Sequence, residues 1–187
     1  MSHTTANLLM LLATLIWGTA FVTQTTGMDF IGPFTFSFSR FFLGALTVLP
    51  LALIIEKGGI FKIFSNKKLI FITFCTGIAL FGGMGLQQYA LLKSQISNAA
   101  FLSTLYVPIV AIISRFIFKS HLSWMIWVAV LLCIYGAYLL SFNQTLEVKQ
   151  SDSLLFLAAF FFAIHIILID AFMKKLSTPF SFAFLQY

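Results

Sequence analysis

Long apolar segments separated by short polar connections make up almost the whole chain. A helix needs about 20 apolar residues to cross the hydrocarbon core of a bilayer. Five complete segments of this kind and a sixth follow one another at roughly Ala6–Thr26, Pro33–Ile55, Lys68–Leu92, Ile96–Ser114, Leu122–Phe142 and Ser153–Phe172. A seventh begins near Pro179. Because lipid offers no partner for free backbone groups, this pattern predicts an all-α integral membrane protein, a polytopic helical bundle.

At the start of the second segment, phenylalanine recurs at every second position, which is also typical of a strand. Phe34, Phe36 and Phe38 follow this period, but the apolar segment continues for many residues beyond them. A strand of a membrane barrel is much shorter, so helix is favoured. The two longest connections, Glu56–Lys67 and Asn143–Asp152, are expected to be loops.

Composition indicates which solvent surrounds this bundle. The chain is 60% hydrophobic and 9% charged, whereas a soluble domain carries about 25% charged residues. We therefore expect the lipid bilayer to be its main surroundings. The net charge of +6 comes from basic residues scattered between apolar segments, so we expect no nucleic-acid partner.

The residue types that form metal or cofactor sites are sparse and scattered. Cys75 and Cys133 lie within apolar segments and suit packing better than a disulfide or a metal. His3, His121 and His165 are too far apart in sequence to suggest a ligand cluster. We expect neither a metal nor a cofactor. The sequence contains no P-loop motif, which excludes ATP as the direct energy source.

Lysine and arginine residues are distributed unequally between the two sides of the predicted bundle. If the chain crosses at each helix, eight of them fall on one side and two, Lys93 and Lys149, on the other. The eight are Lys57, Lys62, Lys67, Lys68, Arg115, Lys119, Lys174 and Lys175. Because basic loops stay in the cytoplasm, we expect a cytoplasmic N-terminus in a multi-pass protein of the cell membrane. No basic residue precedes the first segment, so we expect it to be retained and not cleaved as a signal peptide.

A nine-residue phrase is written twice along the chain. PFTFSFSRF at residues 33–41 returns as PFSFAFLQY at residues 179–187, an offset of 146. The first and sixth segments also align, with Trp17 on Phe162 and Gly18 on Ala163. This indicates a first unit of five helices at residues 1–145 and the start of a second unit at residues 151–187. The alternative is that two apolar helices resemble each other by composition alone.

Because five is an odd number of crossings, the second unit would enter the membrane inverted. Inverted repeats are typical of secondary transporters, whose substrate site lies near the bilayer midplane between the repeats. Two complete units need roughly 290 residues, twice the observed period. We therefore expect the chain to be incomplete in its second unit.

Several stretches resemble EamA-type transporters of the drug/metabolite transporter superfamily. They are WGTAF at 17–21, PFTFSFSRF at 33–41, QQYALLKSQISNAAFLSTLYVP at 87–108 and SDSLLFLAAFFFAIHIILIDAF at 151–172. The resemblance implies ten helices, cytoplasmic termini and export of a small-molecule metabolite. Many members carry a Gly-Glu pair before the fifth helix, where this chain has Lys119 and Ser120. Any gating or folding role of that acid is therefore in doubt here.

Arg40 is the first candidate for substrate binding. It lies seven residues after Pro33, about 10 Å into its helix. A charge there is costly in lipid, so it needs a cavity or a partner. We expect Arg40 to bind an anionic group such as a carboxylate. The alternative is that its side chain extends to the membrane surface or caps carbonyls.

We expect Arg40 to meet its ligand in a vestibule that opens to the outer side of the membrane, and other polar and aromatic residues are candidates to line this vestibule. They are Trp17, Gln24, Gln87, Gln88 and Asn98. Hydrogen bonding between helices is the alternative role for the amides, and packing is the alternative for Trp17. Glycines at 82, 83 and 85 should let a neighbouring helix approach the third segment, and Pro108 should kink the fourth.

Histidine is the side chain whose ordinary pKa lies nearest neutral pH, so His165, in the sixth segment, is a candidate for coupling protons to export. A simple hydrogen bond to a neighbouring helix is the alternative. With Asp170 it also spells H-x-x-x-x-D, a motif of membrane acyltransferases, but the residues between them are all apolar. Asp170 more simply pairs with Lys174 four residues on.

A secondary transporter working by alternating access is therefore the function that the sequence favours. An intramembrane enzyme is disfavoured, since the chain lacks a G-x-S-x-G motif. A structural membrane subunit or a truncated, inactive remnant is the alternative. A homodimer is possible, although the unequal basic residues argue against two copies in opposite orientations.

Overall fold

A computed structural model describes residues 3–142 and 150–187 of the chain. The described residues are predominantly helical. In chain order the helices are α1 (His3–Met28), α2 (Pro33–Ile55), α3 (Gly59–Phe64), α4 (Lys67–Leu91), α5 (Ile96–Ser103), α6 (Tyr106–Phe116), α7 (Trp124–Phe142), α8 (Gln150–Met173) and α9 (Pro179–Gln186). The predicted all-α, polytopic architecture is confirmed.

Five helical stretches of the described residues are long and apolar enough to cross a membrane. They are Thr4–Met28, Pro33–Ile55, Lys67–Leu91, Ile96–Phe116 and Ser151–Met173. Helix α7 contributes a shorter apolar stretch at Trp124–Gly136. Large apolar side chains cover the outside of these helices, as expected where lipid replaces water.

The connection Glu56–Lys67 was predicted to be a loop, and this is wrong for its central part. Helix α3 occupies Gly59–Phe64, and Gly58 precedes it with a φ of 84°, a left-handed conformation that suits glycine. The Asn66 side chain then caps α4 by accepting hydrogen bonds from the N–H groups of Lys68 and Leu69, at 2.9 and 3.4 Å. A short helix therefore joins α2 to α4.

The fourth predicted span is interrupted, which confirms the kink expected from Pro108. Because Pro108 lacks an N–H group, the carbonyl of Thr104 loses its partner four residues on. That carbonyl instead accepts a hydrogen bond from Val107, at 3.0 Å, and Leu105 donates to Leu102 at 3.2 Å. The tighter turn divides the span into α5 and α6.

Helix α8 packs extensively along α4, and it also contacts α5 and α6. The predicted role of the glycines on α4 is confirmed at two of them. A Cβ on Gly82 or Gly83 would lie 2.8 Å from the ring of Phe161 or Phe162, respectively. Only hydrogen at these two positions lets the α8 rings rest on the α4 backbone.

Helices α2 and α9 lie antiparallel. The N-terminal residues Phe180 and Ser181 of α9 meet Glu56 at the C-terminal end of α2. At the other end of α9, the Tyr187 ring lies 5.6 Å from the ring of Phe41. The two copies of the repeated phrase therefore belong to neighbouring helices that run in opposite directions.

Helix α8 begins at Gln150, three residues before the predicted start at Ser153. The rest of the predicted connection, the boundary at residue 145 and Lys149 lie outside the described residues.

Candidate functional site

A cavity of about 250 Å³ lies where α5 gives way to α6, against the middle of α1 and of α8. We call it the central cavity. Its aromatic walls come from Trp17 and Phe21 of α1, Tyr106 of α6 and Phe162 of α8. Gly18 lies in the wall beside them, and a Cβ placed on it would have nothing within 4 Å. Residues from four helices therefore meet around one partly open space.

Tyr106 is the centre of the aromatic wall. Its ring lies 6.2 Å from the ring of Trp17 and 6.3 Å, edge to face, from the ring of Phe162. Such pairs are favourable beyond the area they bury. Tyr106 is also the first residue of α6, so the interruption of the fourth span determines where its ring is placed.

Besides the Tyr106 hydroxyl, three serine and threonine hydroxyl groups belong to the same wall, and their protons are already committed. Thr14 donates to the Leu11 carbonyl at 2.8 Å, and Thr104 donates to that of Phe101 at 2.7 Å. Each hydroxyl oxygen retains lone pairs once its proton is used. Thr14 and Thr104 can therefore accept hydrogen bonds from a solute but cannot donate them.

Ser103, the third hydroxyl, connects the cavity to α4. It donates to the Ala99 carbonyl at 2.6 Å and accepts from Gln87 Nε2 at 2.8 Å. Gln87 is 1% exposed, so this is a buried hydrogen bond between helices. Of the predicted residues, Trp17 lies in the cavity wall and Gln87 reaches the wall through Ser103.

The other predicted amides are buried near the packed ends of α1, α4 and α5. Gln24 and Gln88 are each 1% exposed, and Asn98 is also buried. Among the described residues, neither side-chain atom of Gln24 or Gln88 has a hydrogen-bond partner, and Asn98 Oδ1 has none. Because buried polar atoms without partners are costly, these amides stay candidates for polar contacts with a solute.

Arg40 lies apart from the central cavity. Its Nη2 atom is 3.7 Å from the sulfur of Met84, and its guanidinium lies 5.2 Å from the Phe41 ring centre. No carboxylate pairs with it in the part of the chain that the structure describes. The side chain is half-buried between α2 and α4. Its predicted role in binding an anion stays a prediction.

His165 forms a hydrogen bond with a neighbouring helix, which was the predicted alternative to proton coupling. Its Nε2 atom lies 2.9 Å from Oε1 of Gln186, which links α8 to α9. The pairing of Asp170 with Lys174 is confirmed, at 2.6 Å on an exposed surface. Neither His165 nor Asp170 lines the central cavity.

Comparison with known proteins decides the family. The family described as EamA-like transporters matches residues 4–142 of the chain. The chain belongs to the EamA-like transporter family. A protein of Archaeoglobus fulgidus named "uncharacterized transporter" is 33% identical over 181 residues, which cover 97% of this chain and 54% of that protein. The chain thus spans about half the length of this curated relative. No solved structure matches the chain.

The sequence did not single out Tyr106, Phe162 or Ser103 as site residues of this EamA-like chain. A signal for two of them was nevertheless present. Tyr106 immediately precedes the Val-Pro pair that ends the stretch 87–108, the third of the stretches that resemble the family. Phe162 aligns with Trp17 when the first and sixth segments are aligned. In the structure, both aligned rings pack against Tyr106.

Proposed function

We propose that the protein is a secondary transporter that exports a small metabolite by alternating access. The observation that carries the proposal is the central cavity at the interruption between α5 and α6. Transporters of this type hold their substrates where a discontinuous helix exposes backbone and polar groups to an internal cavity. An ion gradient or the gradient of the solute itself would supply the energy.

The chemistry of the cavity wall suggests what the solute is. At about 250 Å³ the cavity is near the lower end of small-molecule sites. Its wall is mainly apolar, with four aromatic residues, and its threonine oxygens can only accept hydrogen bonds. Trp17 and Tyr106 add an N–H and an O–H group. A small molecule with an apolar or aromatic body and one or two polar groups is complementary to this wall.

We also propose that residues 151–187 begin a second, inverted unit. The antiparallel packing of α2 on α9 supports this arrangement, because the two copies of the repeated phrase belong to these two helices. In the proposed orientation, the N-terminus, Glu56 and the start of α9 lie on the cytoplasmic side of the cell membrane. A homodimer stays a prediction that light scattering of the purified protein tests.

The proposed function is tested by filling the cavity. Because a Cβ on Gly18 meets nothing within 4 Å, Gly18→Phe places a ring in the cavity without moving the backbone. Gly32→Phe is the matched control, since Gly32 also has open space around it and lies outside the cavity. Cells producing wild-type protein, each variant or no protein are compared by mass spectrometry of metabolites inside and outside the cell.

We expect at least one metabolite to have a higher outside-to-inside ratio with the wild type and with Gly32→Phe than with Gly18→Phe. That metabolite is then loaded into proteoliposomes to measure its movement directly. Identical profiles for the wild type and Gly18→Phe, at equal abundance in the membrane, would refute a transport role for the central cavity.

A further inference from the structure

A second and larger cavity lies along the same pair of helices as the central cavity. Its volume is about 720 Å³, and it is bounded by α6, by the connection to α7 and by the last turns of α8. We call it the second cavity. It opens near Lys174 and Lys175, at the end of the bundle that carries most basic residues.

The helical register places the two cavities one turn apart. Tyr106 and Phe162 line the central cavity, whereas Val110 and Ile166 line the second. Each of the latter residues follows one of the former by four positions, so it lies on the same face of its helix. The Tyr106–Phe162 ring pair, with its centroids 6.3 Å apart, thus lies one helical turn from the lining of the second cavity, on the same interface between α6 and α8.

The two rings differ in how firmly they are held. Phe162 is buried and rests on Gly83 of α4, where a Cβ would lie 2.8 Å from its ring. Tyr106 is half-buried and begins α6 directly after the interrupted turn, where regular i to i−4 hydrogen bonds are missing. A rotation of α6 about this turn would move the Tyr106 ring away from a Phe162 ring that stays in place.

The second cavity also has a definite charge. Asp170 is neutralised by Lys174 at 2.6 Å. Lys175 makes no ion pair within the described residues, and the hydroxyl-bearing Ser114 and Ser120 line the same space. The cavity is therefore apolar on its α6–α8 side and positive at its mouth, which favours neutral or anionic molecules over cations.

We propose that the solute passes along the interface between α6 and α8, with the second cavity as its vestibule at the lysine-rich side. The Tyr106–Phe162 ring pair closes this route between the two cavities. This inference rests on the proposed function, and it adds a vestibule, a closing pair and a charge preference. The two rings also belong to the wall of the central cavity, so blocking the route would be a second role for them.

Cysteine labelling tests the proposal without requiring a known substrate. Cys75 and Cys133 are first replaced by Ser. One reporter thiol is then introduced, either Gly18→Cys in the central cavity or Ser114→Cys in the second. Membrane vesicles of known sidedness receive a membrane-impermeant methanethiosulfonate from the side that carries Lys174. The reagent is used in an anionic form and in a cationic form of similar size.

We expect Ser114→Cys to react in every background, and faster with the anionic reagent. Gly18→Cys should react slowly, and about tenfold faster when Tyr106→Ala removes one ring, since an aromatic pair contributes up to about tenfold in equilibrium. Tyr106→Phe keeps the ring and should keep the slow rate. Tyr135→Ala, on the exposed surface of α7, is the control for loss of a tyrosine.

Phe162→Ala provides a second way to open the pair should Tyr106→Ala fail to fold, as judged by size-exclusion chromatography. An unreactive Ser114→Cys would overturn the vestibule. Equal Gly18→Cys rates with and without the rings would overturn the closing pair. Either result leaves the export measured with Gly18→Phe and Gly32→Phe intact, so failure of this inference is separable from failure of the proposed function.

Discussion

Replacing Glu56 by Ala removes the acceptor of the first two free N–H groups of α9. Glu56 Oε1 accepts from Phe180 at 2.8 Å, and Oε2 accepts from Ser181 at 2.7 Å. Pro179 has no N–H group, and Phe182 donates to the Thr178 carbonyl at 3.0 Å. Each N–H group in the first turn of α9 therefore has a partner in the wild type, and two of these three hydrogen bonds are accepted by one carboxylate at the end of α2.

The magnitude follows from the burial of the two donors. Ser181 is fully buried, so water cannot replace the carboxylate at its N–H group, whereas Phe180 is half-buried. A buried donor left without a partner costs about 1–3 kcal/mol. We expect Glu56→Ala to lower the free energy of unfolding by about 2–4 kcal/mol. Glu56→Gln keeps one oxygen acceptor without its charge and should lose about half as much.

The assay combines SDS-induced unfolding with hydrogen exchange of the purified protein. Exchange should rise in peptides that cover residues 179–187 before it rises in α4 or α8. Asp170→Asn is the matched control, because it also removes a carboxylate but from an exposed pair that contributes little. If Glu56→Ala unfolded like Asp170→Asn, or if exchange in α9 were unchanged, the carboxylate would not hold α9 and the reasoning would be refuted.

Three further predictions concern α4 and the interrupted span. Gly83→Ala should lower the free energy of unfolding, measured by thermal denaturation, by about 1–3 kcal/mol, because its Cβ would press on the Phe162 ring. Gly18→Ala should leave that free energy unchanged. Gln87→Leu removes the buried donor to the Ser103 hydroxyl and should lower the free energy of unfolding by about 1 kcal/mol. An unchanged melting temperature would show that the hydrogen bond between Gln87 and Ser103 does not stabilise the fold. Pro108→Ala restores an N–H group, so exchange at residues 104–108 should slow while export falls. Export that remains at the wild-type rate would show that the interruption is not needed for transport.

The positions of most helices were predictable because lipid demands long apolar stretches with satisfied backbones. Pro33 and Pro179 marked the starts of α2 and α9, and Pro108 marked the interruption of the fourth span. The short helix α3 was missed. Its six residues are too few to show a span, and its start depends on the left-handed conformation of Gly58.

The site was predicted less completely than the fold. Trp17 was recognised because a tryptophan in the middle of a span has no interfacial role. Gln87 was recognised because amides are rare in lipid, and its partner Ser103 was not. Arg40 was selected for the cost of placing a charge in lipid, and His165 was selected because histidine can exchange protons near neutral pH. Neither property identifies the side chain's partner, which is Met84 for Arg40 and Gln186 for His165.

By itself, the sequence determined that this chain is a helical membrane protein and where its apolar helices run. Those properties depend on the free energy of each segment in lipid, which is a local quantity. Only the tertiary structure decided that Tyr106 packs against both Trp17 and Phe162 and that Glu56 caps α9. The physical reason is that lipid is as apolar as the protein interior, so apolar side chains on a span do not indicate which face meets another helix.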